Sequence, residues 1–134
     1  MKMRFINRPV HAVLDYLTGI AMVVSPWAFN FAEIPAARNT ILSVGIIVVV
    51  MSLLTNYEGG VSKKIAMDTH LWGDFFMGIF LAASPWLFLF SEETYILHVA
   101  FGLLSIVASL LTINSSQIQR HIPIDFVYGK SDTP

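Results

Sequence analysis

Apolar and polar residues are segregated along this chain on the scale of whole helices. Four long runs, at about Val10–Phe31, Ile34–Thr55, Leu71–Phe90 and Tyr95–Ile113, are almost free of charge. Each is near the roughly 20 residues that a helix rising about 1.5 Å per residue needs to cross about 30 Å of hydrocarbon. A buried helix of a water-soluble domain is rarely apolar on all sides over such a length, and here it would have to be so four times. The pattern predicts an all-α, polytopic membrane protein with four transmembrane helices. The basic start MKMRFINR resembles a signal leader, but the run behind it is longer than a signal core and contains Asp15. Its near-copy at Leu71–Phe90 cannot be a leader, so both are expected to be retained spans.

The polar residues inside these runs occur twice. HAVLDYLTGIAMVVSPW (11–27) and HLWGDFFMGIFLAASPW (70–86) each place a histidine, an aspartate, a glycine and a Ser-Pro-Trp at one spacing. His11, Asp15, Gly19, Ser25, Pro26 and Trp27 recur as His70, Asp74, Gly78, Ser84, Pro85 and Trp86, a shift of 59. In the second helix of each half the shift is 57, so that Gly45 matches Gly102 and the SLLT at 52–55 matches that at 109–112. A two-span repeat enters and leaves on one side, so the halves are expected to be parallel copies of a helical hairpin, related by an axis along the membrane normal. The expected organisation is one membrane domain over 1–134, with repeat 1 at about 9–56, a linker at 57–69, repeat 2 at about 70–114 and a polar tail at 115–134. Within that tail the apolar patch IPIDFVYG is expected at the membrane surface.

These motifs resemble the SPW repeat family of small integral membrane proteins, over roughly Pro9 to Thr112. The resemblance implies a membrane protein of mainly prokaryotic distribution. It implies no catalytic residues and no established biochemical activity.

Charge orients the expected bundle. Both termini and the linker lie on one side, with Lys2, Arg4, Arg8, Lys63, Lys64, Arg120 and Lys130, whereas the other side holds only Arg38 beside Glu33, Glu92 and Glu93. Cationic loops stay in the cytoplasm, so both termini are expected there, in a multi-pass protein of the inner (cytoplasmic) membrane. Trp27 and Trp86 would then lie near the outer interface, and Trp72 and Tyr57 near the inner one. Composition removes other classes. Charged residues are 13% of the 134 and the net charge is -1, which gives no footprint for nucleic acid. With no cysteine there is no thiolate nucleophile or iron–sulfur site.

At 100° per residue His11, Asp15, Thr18, Gly19, Met22, Ser25 and Pro26 fall within an arc about 120° wide, and their counterparts in the third run do the same. His98, Gly102, Ser105, Ser109 and Thr112 share a face of the fourth. Polar and small faces in lipid turn toward other helices. Pro26 and Pro85 remove an amide and displace the carbonyl four residues back, which the Ser25 and Ser84 hydroxyls help to satisfy. The motif is thus expected to bend each helix and anchor its outer end.

The leading expectation for the His/Asp pairs is a polar clamp within each repeat. The rival reading has His11, Asp15, His70 and Asp74 converging as a two-His, two-carboxylate metal site. Proton or ion handling and haem ligation by the paired histidines are lesser readings. His98 is expected at the opposite end, as an isolated interface residue. No nucleophile–base pattern is found, and no cofactor is expected. The leading function is a non-enzymatic structural or partner-binding membrane protein, a homo-oligomer or a partner of another membrane protein. The alternative is a small transporter, channel or metal-binding protein, and a membrane enzyme comes third.

Overall fold

The computed structural model describes residues 5–113. They form four helices, α1 (Arg8–Ala28), α2 (Pro35–Leu54), α3 (Met67–Leu87) and α4 (Ile96–Leu111). Among the described residues all regular structure is helical, apart from two isolated bridges. The surface-membrane patch expected at IPIDFVYG lies outside them. α1 and α2 are long and apolar enough to cross a membrane. α4 is 16 residues long, about 24 Å, and so shorter than the apolar run that contains it. α3 begins at Met67, four residues before its apolar run, so His70 is already inside the helix.

The burial pattern is inverted relative to a soluble bundle. Val13, Leu17, Ile20 and Val24 on α1 and Leu103, Val107 and Leu110 on α4 are exposed, while all of His11, Asp15, His70, Asp74 and His98 are buried. Buried polar groups beneath an apolar surface are what a lipid solvent selects. This is a membrane protein.

Within each hairpin the helices cross at a glycine pair. A Cβ on Gly45 would lie 2.9 Å from the Gly19 carbonyl oxygen, and one on Gly102 would lie 2.6 Å from that of Gly78. No larger residue permits the approach, which is how small residues bring helices together in lipid. One end of the bundle is packed with Met22, Phe31, Ala37, Ile41, Val44, Val48, Leu81 and Phe90. The other holds Ala12, Tyr57, Met67 and Leu71.

The Ser-Pro-Trp segments close α1 and α3. The Ser25 hydroxyl donates to the Met22 carbonyl at 2.8 Å and Ser84 to that of Leu81 at 2.7 Å. These are the carbonyls that Pro26 and Pro85 leave without an amide donor. Each helix runs on past its proline and stops two residues later, at Ala28 and Leu87. The chain then turns through left-handed residues, Asn30 and Leu89, both at φ 58°. Phe31 and Phe90, both buried, donate their amides back to Pro26 and Pro85 at 2.9 Å. This is a Schellman-type stop, with its apolar residue folded onto the core. Trp27 and Trp86 face outward.

The repeats clasp each other at the opposite end. The Ile6 amide donates to the Leu111 carbonyl and Ile113 to Ile6, while Ile65 donates to Leu54 and Asn56 to Ile65. The first pair joins the end of α4 to the segment before α1, and the second joins the end of α2 to the segment before α3. Each hairpin end is thereby tied to the start of the other.

Candidate functional site

His11 and Asp15 lie four apart on α1, as do His70 and Asp74 on α3, in the first two turns of each helix. That spacing directs both side chains of a pair along one face. Helix packing turns the two faces toward each other, and the four residues meet. His11 Nε2 lies 3.0 Å from Asp74 Oδ2, and His70 Nε2 lies 3.0 Å from Asp15 Oδ2. The contacts within each helix are His70 Nε2 to Asp74 Oδ2 at 3.1 Å and His11 Nε2 to Asp15 Oδ1 at 3.4 Å. All four residues are at most 6% exposed.

The expectation of a separate clamp in each repeat therefore fails. Each histidine reaches the other repeat's aspartate, as a two-fold arrangement of parallel hairpins requires, and the four form one tetrad. The haem reading fails on space. The two imidazole centroids are 5.4 Å apart, and carboxylate oxygens occupy the gap at 3.0 Å from the ring nitrogens. A macrocycle has no room between them.

The far nitrogens of the histidines are held by threonines of the opposite hairpin. Thr112 Oγ1 is 2.8 Å from His11 Nδ1, and Thr55 Oγ1 is 2.7 Å from His70 Nδ1. Each threonine also donates to the carbonyl four residues back, Thr112 to Ala108 at 2.6 Å and Thr55 to Met51 at 2.7 Å. A carbonyl can only accept, and a hydroxyl has one proton, so each threonine oxygen must accept from Nδ1–H. Both imidazoles are thus fixed with Nδ1 protonated and Nε2 turned to the centre.

The two-fold relation breaks at the aspartates. The Ser52 hydroxyl donates to Asp15 Oδ2 at 2.8 Å, and the Tyr57 hydroxyl stands 3.5 Å from the same oxygen. Ser109, the counterpart of Ser52, instead donates to the Ile106 carbonyl. Asp74 Oδ1 is buried without a hydrogen-bond partner. The position equivalent to Tyr57, residue 114, lies outside the described residues. Beside the tetrad, Asp15, Thr18, Asp74, Phe101 and Ser105 line a cavity of about 20 Å³, the volume of roughly one water molecule. An organic substrate does not fit there.

Tyr57, expected at the inner interface, is turned into the protein. It is 2% exposed, its ring 5.8 Å from that of His70, and it covers the tetrad from the linker side. Burial raises its phenol pKa. Two glycines follow, and the Gly59 carbonyl accepts from the Tyr16 hydroxyl at 2.8 Å. Arg8 donates to the Asn56 carbonyl. His98 stands apart from the tetrad, as expected, but it is fully buried and not an interface residue: it lies between Phe31 and Phe90, and its Nε2 is 3.0 Å from the Ala37 carbonyl.

Sequence reasoning did not assign Ser52, Thr55 and Thr112 to the histidines and aspartates, nor Tyr57 to the site. The signal for the first three was present, since the duplicated SLLT holds both threonines and Ser52 at the repeat spacing.

Two hairpins, each with H-x3-D-x3-G and a Ser-Pro-Trp stop, decide the family. The SPW repeat domain profile matches residues 9–112. The chain belongs to the SPW repeat family. Comparison with curated proteins and with solved structures returned no match. The SPW repeat assignment and the inverted burial pattern agree that the chain resides in a lipid bilayer.

Proposed function

We propose that this SPW repeat protein is a non-enzymatic membrane protein. In this reading it is a structural or partner-binding element of four spans, and its two hairpins are held in register by the central tetrad. The observation that carries the reading is the reciprocal bonding of His11 to Asp74 and His70 to Asp15. Those contacts exist only when both repeats are docked, and in a low-dielectric interior breaking one leaves a buried charge uncompensated. The groups are sequestered and the adjoining cavity is of water size, which favours a stapling role over turnover of a substrate. The apolar outer faces of all four helices supply the surface for lipid, for a second copy, or for another membrane protein.

The seven-to-one division of basic residues supports an orientation with both termini and the linker in the cytoplasm of the cell membrane. α3 and α4 complete the four spans in this reading. α4 does so despite its length, because the clasp through Ile113 and the segment Thr94–Tyr95 extend it at both ends. Reporter fusions after Gly60 and at the C-terminus test this topology. Both are expected to be active only in the cytoplasm, and periplasmic activity at either would refute it. Replacing Asp15 or Asp74 by Ala tests the staple: unfolding of the detergent-solubilised chain is expected to become easier in both.

A further inference from the structure

The geometry points to the tetrad His11, Asp15, His70 and Asp74 as a binding site for one divalent transition-metal ion, zinc first, held between the repeats. This rests on the reading of the tetrad as the junction of the two hairpins and adds what the junction holds.

Three independent features carry it. The first is convergence: each of the four residues offers one ligand atom, and these atoms all lie within 4.8 Å of one another. Around a tetrahedral ion with bonds of about 2.0–2.1 Å, neighbouring ligand atoms stand roughly 3.3 Å apart. The four His–Asp separations, counting both oxygens of Asp15, run from 3.0 to 3.4 Å, so the His–Asp pairs already stand at ligand spacing and the wider pairs, all within 4.8 Å, close onto the ion as it binds. Two imidazoles with two carboxylates is a donor set suited to zinc, with cobalt(II) as its spectroscopic substitute.

The second feature is the outer shell. Metal-bound histidines give their other N–H to a fixed acceptor, which sets the tautomer and the ring direction. Thr55 and Thr112 do this for both rings, and each threonine is itself locked by its bond to the preceding turn. Nε2 of both rings is therefore presented inward whether or not it carries a proton.

The third is charge. Two carboxylates meet two imidazole nitrogens at 3.0 Å, and the charge of one divalent ion is matched by those two carboxylates, so the filled site is neutral in a low-dielectric interior. Asp74 Oδ1, buried and unpartnered, is the oxygen left free to turn onto the ion. Among the described residues, the other titratable group against the cluster is the Tyr57 hydroxyl, 3.5 Å from Asp15. It covers the side facing the linker.

The full chain, purified in detergent and stripped with chelator, tests this by titration with zinc chloride alone and with cobalt chloride. One ion per chain is expected. Cobalt is expected to give the intense visible bands of tetrahedral coordination. Asp74→Asn is expected to abolish both signals. Should that variant fail to fold, the Thr55→Val/Thr112→Val pair keeps all four ligands and is expected to weaken zinc binding about 10- to 100-fold. A folded wild-type chain that binds neither ion overturns the proposal. So does binding that survives unchanged in Asp74→Asn, or in the threonine pair. The staple reading fails separately: it falls if Asp15→Ala and Asp74→Ala, each with chelator present, leave unfolding unaltered.

Discussion

Because the four side chains share one centre, Asp15 and Asp74 are expected to be strongly coupled, and a double-mutant cycle measures the coupling. Asp74 Oδ2 lies 3.0 Å from His11 Nε2 and 3.1 Å from His70 Nε2. Asp15 accepts from Ser52 and meets both histidines. Removing either carboxylate leaves two buried imidazoles sharing one counter-charge. Breaking a buried ion pair from one side costs about 3–5 kcal/mol, so about 3 kcal/mol is expected for Asp15→Ala and for Asp74→Ala. Independent clamps would give about 6 kcal/mol for the pair, because distant sites add. In one tetrad the second removal takes away a group whose partners are already compromised, so about 4 kcal/mol is expected, a coupling of about 2 kcal/mol. The assay is reversible unfolding of the full chain in mixed micelles, followed by far-UV circular dichroism with chelator present. Additivity of the two losses within about 0.5 kcal/mol would refute the shared centre.

Further tests address the rest of the fold. Ser84→Ala leaves the Leu81 carbonyl unsatisfied and is expected to cost about 1 kcal/mol; in a Pro85→Ala background, where the residue-85 amide is restored, the same change should cost close to nothing. Leu89 holds a left-handed φ of 58°, which penalises a side chain by about 1–2 kcal/mol, so Leu89→Gly is expected to raise the unfolding midpoint. Gly78→Leu puts a Cβ 2.7 Å from the Gly102 carbonyl and is expected to separate α3 from α4, read as lost helix–helix cross-linking between introduced cysteine pairs. Burial raises the Tyr57 phenol pKa, so its contribution is intact below the ordinary value of about 10 and is lost as pH rises above it; Tyr57→Phe should flatten that alkaline loss of stability.

Much of this structure was legible in the linear chain, for reasons of period and solvent. Length and apolarity announced helices, because in lipid an uninterrupted apolar run of about 20 residues has no other way to satisfy its backbone. The four-residue step from His11 to Asp15, and from His70 to Asp74, fixed a shared face within each helix, and the duplication indicated that both pairs would be placed alike, though the partners of Asp15 and Asp74 then differ. The Ser-Pro pair even named its own remedy, since the carbonyl that proline orphans lies within reach of the preceding hydroxyl. All of these are local relations, spanning at most a few turns.

What only the tertiary structure decided is which partner each group meets. Whether His11 turns to Asp15, one turn away, or to Asp74, 63 residues away, depends on how α1 rotates against α3, and the repeat spacing is silent on that rotation. The same packing carries Thr112 to His11 and Thr55 to His70, fixing a tautomer that no spacing rule contains. It also buries Tyr57 against the cluster. The rotation is set by the glycine crossings within each hairpin and by the reciprocal clasp between them, which are sums over many long-range contacts. A two-fold arrangement then converts two local His/Asp pairs into one buried centre, because parallel copies facing each other across an axis present the same residues to the same point.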